Sequence, residues 1–339
     1  MPKQERLDLI KKIEEKTNSK ILVYFTGDRK GLETRISSDV IPFIYKHLEK
    51  FGTVPKISLL IYTTGGITIS GYGIVNMIRE HCDEYGIIIP FKCLSTGTLM
   101  ALGANTIIMS KMGQLGPVDP SLEHPLGPEI QHPQNPSIKV KVPVNVEDVV
   151  SFFDLAKKEA KTNSEEEFTK VLMTLSGGIH PLVLGAVNRS RNEIRFLAKT
   201  LLKQHITDEE KINKIVKTLI EERFSHNYLI GRKEAKNELG LNIIDASDEL
   251  MQDIMKLYGE YNKIMNLDIP HNNELELAGQ NETTTSFHRC VVESENLTHT
   301  FTTEAKINRL QITNPKTGIP ITQYPLVILR EEWMQNDSI

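Results

Sequence analysis

The chain has 339 residues, of which 39% are hydrophobic and 25% are charged, a composition typical of a soluble globular protein. Its net charge of −4 argues against strong electrostatic attraction to nucleic acid or to an anionic membrane surface. The length suits one large domain with a smaller appended part.

The cysteines and the first residues limit the kinds of cofactor and location that we expect. Cys82, Cys93 and Cys290 form no Cys-x-x-Cys pair, so the sequence indicates neither disulfides nor a zinc site and favours a reducing, cytoplasmic compartment. Residues 1–6 open a charged amphipathic segment and not a signal peptide, and no apolar run approaches the roughly 20 residues of a membrane span. Neither a phosphate-binding GxxxxGK motif nor a GxGxxG motif after a strand is present, so we expect no cofactor.

The first third of the chain alternates predicted helices and strands. Ile57–Tyr62 is a continuous apolar run, which is typical of a strand covered on both faces of a parallel sheet. The spacing predicts βαβ units with right-handed crossovers, whose sites gather at the carboxyl ends of the strands. The periodicity predicts helices at 4–17, 38–51 and 68–84, a short helix after Ser95, and strands at 21–25, 57–62, 87–93 and 106–109.

The rest of the chain changes character twice. Residues 113–143 are irregular and rich in Gly, Pro and His, and a loop of this length is more often functional than idle. From about Pro270 the composition shifts, and the alternation in 283–313 predicts a small antiparallel β unit. Between these segments we predict three or four helices within 146–222, a short helix at 231–240 and a long helix at 247–266. We therefore divide the chain into a domain at 1–267, with 146–222 as a helical arm, and a β-rich unit at 268–339.

Two turns that follow predicted strands could together support acyl transfer. Thr64-Gly65-Gly66 follows the strand at 57–62, and Ser95-Thr96-Gly97 follows the strand at 87–93. Paired glycines let backbone N–H groups approach a ligand, and a serine at a helix start lies where N–H groups and the positive end of the helix dipole converge. If the turns meet, one would donate N–H groups to an oxyanion and the other would present a nucleophile. Ser95 as an ordinary helix N-cap is the alternative.

The order of these features resembles the serine dehydrogenase proteinase family of the Clp protease and crotonase superfamily, to which signal peptide peptidase A also belongs. The specific part of the resemblance is Thr63–Pro120, which contains the T-x-G-G and S-x-G-T motifs and Leu115-Gly116-Pro117-Val118-Asp119-Pro120. A later segment, Ile230–Leu241, is similar to the "G-x-x-A-x-x-x-G-L" segment that closes such domains, so the resemblance covers about residues 5–265. It implies an α/β fold, a Clp/crotonase-like spiral of ββα units with a parallel sheet.

The resemblance also implies roles for individual residues. Ser95 takes the place of the nucleophilic serine. The backbone N–H groups near Gly65 and Gly66, together with that of Thr96, take the place of the oxyanion hole.

The resemblance does not identify the general base in the same way. Clp proteases carry a histidine soon after the serine, whereas Pro117–Pro120 contains none. One alternative is His226, just before the closing segment, with Asp119 to orient it. The other is Lys139 or its neighbour Lys141, at the distance that lysine-based relatives use; a lysine requires desolvation to act as a base near neutral pH, and a histidine does not. The histidines of the irregular loop rank below His226: His124 and His132.

These features predict an ATP-independent serine peptidase that acts on a peptide or protein substrate. By resemblance we expect a homo-oligomer, and we expect no metal, no nucleic-acid partner and no membrane span. Two other functions stay open. A crotonase-like acyl-CoA enzyme would use the paired N–H groups on a thioester enolate, and a non-catalytic Clp-type scaffold would account for the missing Clp histidine.

Overall fold

The computed structural model describes residues 3–118, 121–132, 135–158, 164–220, 228–313 and 318–336. A short 3₁₀ helix at Ser38–Val40 leads into the second α-helix. The α-helices are α1 (Lys3–Thr17), α2 (Ile41–Phe51), α3 (Thr68–Arg79), α4 (Thr96–Leu102), α5 (Val146–Lys158), α6 (Glu165–Gly178), α7 (Pro181–Lys203), α8 (Glu209–Ile220), α9 (Arg232–Asn237), α10 (Asp248–Met265) and α11 (Asn273–Glu276).

The strands are β1 (Lys20–Thr26), β2 (Val54–Tyr62), β3 (Cys82–Ile89), β4 (Lys92–Cys93), β5 (Thr106–Met109), β6 (Gln114–Leu115), β7 (Ser121–Leu122), β8 (Glu129–His132), β9 (Asn135–Lys141), β10 (Val144–Asn145), β11 (Ile230–Gly231), β12 (Ile243–Ile244), β13 (Glu282–Ser294), β14 (Leu297–Asn308), β15 (Leu310–Thr313), β16 (Pro320–Gln323) and β17 (Leu326–Gln335). The three longest strands, β13, β14 and β17, lie after residue 281.

The main sheet has eight strands in the order β12-β5-β3-β2-β1-β13-β14-β17. The first five are parallel to one another, and the last three form antiparallel pairs. Apolar side chains of α1 and α10 pack against residues of β1, β2 and β3 in this sheet. Because β2 is covered on both faces, its run from Ile57 to Tyr62 is buried throughout, as the apolar pattern predicts. The predicted α/β class with a parallel sheet is confirmed.

The compact units of the structure do not follow the predicted boundary between residues 267 and 268. One unit contains Met1–Leu115 and Leu229–Ile339, and the other contains Gly116–Tyr228. The strands after residue 281 pair antiparallel, as predicted, but they extend the main sheet because β13 pairs with β1, with Val23 opposite Glu293. Such pairing between distant segments leaves no local trace in the sequence.

Two element boundaries also differ from the predictions. The predicted helix at 68–84 ends at Arg79, and β3 already begins at Cys82 because Cys82–Tyr85 pairs with the start of β2. The predicted strand at 87–93 is divided into β3 and β4, with Pro90, which lacks a backbone N–H, at the break.

The second unit contains α5 to α8, which agrees with the three or four helices expected within 146–222. Residues of α5, α6 and α7 pack in a small valine-rich core. The segment that we expected to be irregular, 113–143, includes two strands, β8 and β9, that pair antiparallel. Among the described residues no single helix is long and apolar enough to cross a membrane. Helices α6 and α7 meet that requirement only as a pair, and they are bent by 107° relative to each other.

Candidate active site

The two turns singled out in the sequence lie next to each other in the first unit. Thr63, directly after β2, forms a parallel bridge with Cys93 of β4. The Thr63 N–H donates to the Lys92 carbonyl at 2.9 Å, and the Leu94 N–H donates to the Thr63 carbonyl at 3.1 Å. This bridge holds the Gly-Gly turn beside the turn that begins α4, as expected where the carboxyl ends of neighbouring parallel strands share one edge.

Ser95 has an unusual backbone conformation at the head of α4. Its φ is +51° and its ψ is −113°, in a region that non-glycine residues rarely adopt and that costs about 1–3 kcal/mol. Although Ser95 occupies the N-cap position, its side chain caps no backbone N–H group. The alternative of an ordinary N-cap is therefore not supported by the hydrogen bonding. The half-buried hydroxyl has no hydrogen-bond partner among the described residues, so it is available to a substrate or to a base.

The Gly-Gly turn packs against Ser95 without intervening atoms. A Cβ atom placed on Gly65 would lie 2.8 Å from the Cβ and 3.2 Å from the Oγ of Ser95. Gly65 and Gly66 have φ values of +113° and +153°, which favour glycine at both positions. The paired glycines therefore allow a close approach, as the sequence predicts, and the contact is that of Gly65 with Ser95.

The three predicted oxyanion-hole residues differ in what their N–H groups do. The Gly65 N–H donates to the Thr63 Oγ1 at 3.0 Å and is engaged. The N–H groups of Gly66 and Thr96 have no acceptor among the described residues. The Gly65 carbonyl accepts from the Ile36 N–H at 2.9 Å, and because carbonyl and N–H point in opposite directions in a trans peptide, the Gly66 N–H is directed away from Ile36.

Sequence reasoning missed the hydroxyl of Thr63. It accepts from the Thr26 hydroxyl at 2.8 Å as well as from the Gly65 N–H, and so connects the end of β1 to the Gly-Gly turn. The position of Thr63, two residues before the first glycine, was the available signal, because Ser and Thr side chains bond the backbone two residues further on. A second missed hydroxyl is that of Thr96, which donates to the Gly66 carbonyl at 2.7 Å.

Cys93 lies two residues before Ser95 and is completely buried. Burial raises the pKa of its thiol, so the reactive thiolate is disfavoured. Its Sγ would lie 3.0 Å from a Cβ on Gly97, which places the side chain beneath the first turn of α4. Cys93 is a packing residue.

The candidate bases fall into two groups: those that lie outside the described residues and those that belong to the second unit. His226 and Asp119 lie outside the described residues. Lys139 belongs to β9 of the second unit, and its side chain is 71% exposed and 3.7 Å from Glu129. Lys141 is bound more closely to Glu129, at 2.6 Å, and this ion pair lowers the pKa of Glu129.

The two histidines of the loop lie in the second unit. The His124 Nδ1 accepts from the Leu126 N–H at 3.1 Å, which is a local turn contact, and His132 ends β8. No described side chain forms a hydrogen bond with the Ser95 hydroxyl.

Comparisons with known proteins identify a family, two relatives and a solved structure to which the chain is similar. A model of a family described as ClpP-like SDH-type serine proteinase matches residues 2–172. Two uncharacterized proteins of Methanocaldococcus jannaschii, MJ0137 and MJ1495, are 29% and 26% identical over 203 residues, which is 60% of this chain. The matches cover 58% and 56% of those relatives, so the chain spans less than two thirds of their length. The crystal structure of the ClpP protease catalytic domain from Plasmodium falciparum is 15% identical, covers 73% of this chain and 93% of its own, and has a TM-score of 0.34.

Proposed function

The chain belongs to the family of ClpP-like SDH-type serine proteinases, which confirms the predicted family, and from that premise we propose that it hydrolyses peptide bonds with Ser95 as nucleophile. The observation that carries the proposal is that the Ser95 hydroxyl and the N–H groups of Gly66 and Thr96 lie on two adjoining turns and have no hydrogen-bond partner in the part of the chain that the structure describes. Nucleophile and oxyanion donors must converge on one carbonyl group, and these three groups belong to the two adjoining turns.

In this mechanism Ser95 Oγ attacks the carbonyl carbon of the scissile bond. The carbonyl oxygen becomes an oxyanion, and the N–H groups of Gly66 and Thr96 donate to it. A general base takes the serine proton and returns it to the leaving amine. A water molecule, deprotonated by the same base, then attacks the acyl carbon, the ester bond to Ser95 Oγ breaks, and the base returns the proton to Oγ. The sequence has no GxxxxGK motif, so we propose that hydrolysis is independent of ATP.

We propose His226 as the base, with Asp119 to orient its ring. The exposure of Lys139 supports this choice, because a lysine acts as a base near neutral pH only when burial destabilises its charged form, and a 71% exposed side chain lacks that burial. Lys141 is held in its ion pair with Glu129.

The same proposal includes a peptide or protein substrate, assembly into a homo-oligomer and a cytoplasmic location. Family membership supports the first. The three buried free cysteines support a reducing compartment, because none is paired. Light scattering of the purified protein tests the assembly, and a monomer at micromolar concentration would contradict it.

A fluorophosphonate probe tests the nucleophile without knowledge of the substrate, since it reacts with a serine activated in this way. We expect the wild-type protein to be labelled and the Ser95→Ala variant to be inert. Ser247→Ala is the matched control: Ser247 heads α10 and accepts from the Leu250 N–H, so its loss costs about 1 kcal/mol of stability without affecting labelling. Equal labelling of Ser95→Ala and wild type would exclude Ser95, and an unlabelled wild type would favour the non-catalytic scaffold.

A further inference from the structure

The peptide groups on both sides of the Gly66 Cα are held by hydrogen bonds. On one side, the Gly65 carbonyl accepts from the Ile36 N–H at 2.9 Å. On the other side, the Ile67 N–H donates to the Ile36 carbonyl at 2.8 Å, and the Gly66 carbonyl accepts from the Thr96 hydroxyl at 2.7 Å. Of these three hydrogen bonds, the one from Thr96 is made by a side chain.

That side chain belongs to the residue that follows the nucleophile. We infer that the Thr96 hydroxyl is a positioning group that fixes the Gly66 N–H relative to the Thr96 N–H, so that the two act as one oxyanion hole. This inference rests on the proposed function. A single residue thereby supplies one donor from its backbone and orients the other through its side chain.

The surroundings of Thr96 leave its hydroxyl little freedom to turn away. The residue is completely buried, and its Cγ2 methyl packs on Gly71 of α3, where an added Cβ would lie only 2.5 Å away. Because a β-branched side chain has few rotamers, this methyl contact also directs the hydroxyl toward the Gly66 carbonyl. Gly71 therefore serves the same arrangement by admitting the methyl group.

A conservative series of variants separates the hydroxyl from the bulk of the side chain. Thr96→Val keeps the shape and the backbone N–H but removes the hydrogen bond, so we expect the maximal labelling rate with a fluorophosphonate probe to fall about tenfold, as befits the loss of one neutral hydrogen bond. The half-saturating probe concentration should stay within about twofold, because the lost hydrogen bond affects the reacting phosphoryl group of the probe and not the binding of the probe. Thr96→Ser restores the hydroxyl and should recover most of the rate.

Thr98→Val is the matched control. Thr98 is also completely buried in α4, and its hydroxyl donates to the Cys93 carbonyl at 3.0 Å, so its loss has a comparable structural cost. We expect this variant to keep the wild-type labelling rate even if its melting temperature falls.

Each result decides the inference. A wild-type rate in Thr96→Val, or a rate in Thr96→Ser as low as in Thr96→Val, would overturn it while leaving the proposed function intact. A wild-type protein that is not labelled at Ser95 would overturn both. If Thr96→Val does not fold, Thr96→Ala decides in its place: it removes the same hydroxyl without adding bulk, and a wild-type rate in that variant would overturn the inference.

Discussion

Gly65 lies directly against Ser95, with room for a hydrogen atom but not for a methyl group. A Cβ atom on Gly65 would approach the Ser95 Cβ to 2.8 Å, closer than two carbon atoms pack, and the φ of +113° would strain any alanine there. We therefore expect Gly65→Ala to displace Ser95 and to lower the rate of fluorophosphonate labelling by at least about 10²-fold, since a misplacement of 1 Å has that effect.

Gly73→Ala is the control for this variant. Gly73 lies in α3, a Cβ there would meet no atom within 4 Å, and alanine favours a helix. We expect Gly73→Ala to label at the wild-type rate and to unfold at an equal or higher temperature. Unchanged labelling in Gly65→Ala would show that the close contact with Ser95 has no bearing on the reaction.

The sequence predicts the meeting of these two turns but not how they are joined. Thr64-Gly65-Gly66 and Ser95-Thr96-Gly97 both follow apolar strands, and neighbouring parallel strands end at the same edge of a sheet. The turns are joined by the bridge between Thr63 and Cys93 and by the hydrogen bonds of the Thr63 and Thr96 hydroxyls. These contacts depend on how the two turns face each other in the fold. The positive φ of Ser95 was also hidden, because sequence signals of that conformation come from glycine and asparagine.

The pH dependence of the reaction distinguishes a histidine base from a lysine base. A histidine base gives a rate that rises with pH through about 6 to 7, where imidazole loses its proton, whereas a lysine base usually acts at higher pH. We expect His226→Gln to lower the labelling rate by about 10²–10⁴-fold and to remove the rise below pH 7. Lys139→Met should leave both rate and pH profile unchanged, because the Lys139 side chain is largely exposed.

Rates measured from pH 5 to 9 for these two variants and the wild-type protein test this assignment. A large loss in Lys139→Met with an unaffected His226→Gln would reverse it.

Glu293 is the centre of a buried ionic network that fastens α1 and α10 to β13. It accepts two hydrogen bonds from Arg6, at 2.6 and 2.8 Å, one from Tyr261 at 2.5 Å and one from Thr298 at 2.7 Å. Because Arg6 and Glu293 are both almost fully buried, Glu293→Gln would remove the carboxylate charge that two hydrogen bonds from the buried guanidinium address. We expect this variant to lose about 3–5 kcal/mol of unfolding free energy, as measured in urea.

Glu282→Gln provides a comparison within the same strand, β13. Its partner is Lys306 at 2.9 Å, and the side chains are 65% and 39% exposed, so the expected loss is about 0.2–1 kcal/mol. Equal losses in the two variants would show that burial of the Arg6–Glu293 pair does not matter to stability.

The same region explains why the sequence could not reveal how the C-terminal strands are placed. The alternation in 283–313 correctly indicates antiparallel strands. Where β13 pairs with β1, Glu293 also bonds Arg6, which lies 287 residues away in the sequence, and both read as ordinary surface charges. A charged residue gives no sequence signal that it will be buried with a distant partner.

His47 makes the fold sensitive to acid. It is completely buried, with its Nδ1 2.7 Å from the Ser294 Oγ and its Nε2 3.0 Å from the Nδ1 of His299. One of the two facing ring nitrogens must carry a proton and the other must accept it, so protonation of both rings would set two N–H groups against each other. Burial, and secondarily the charge of His299, lower the pKa of His47 to about 3.

The sign of the pH effect follows from that shift. Above the ordinary histidine pKa of 6.5 the ring is neutral in both states, and stability is at its full value. Between pH 6.5 and about 3 the unfolded chain binds a proton that the folded chain does not, so the free energy of unfolding falls by up to about 1.4 kcal/mol per pH unit.

Urea unfolding at pH 7.0 and 5.5 should show a smaller loss for His47→Gln than for the wild-type protein, because glutamine does not titrate. His288, whose pKa is also lowered by burial, contributes equally to both proteins and cancels in the comparison. The same loss in both would mean that His47 takes up its proton as readily in the folded chain as in the unfolded one.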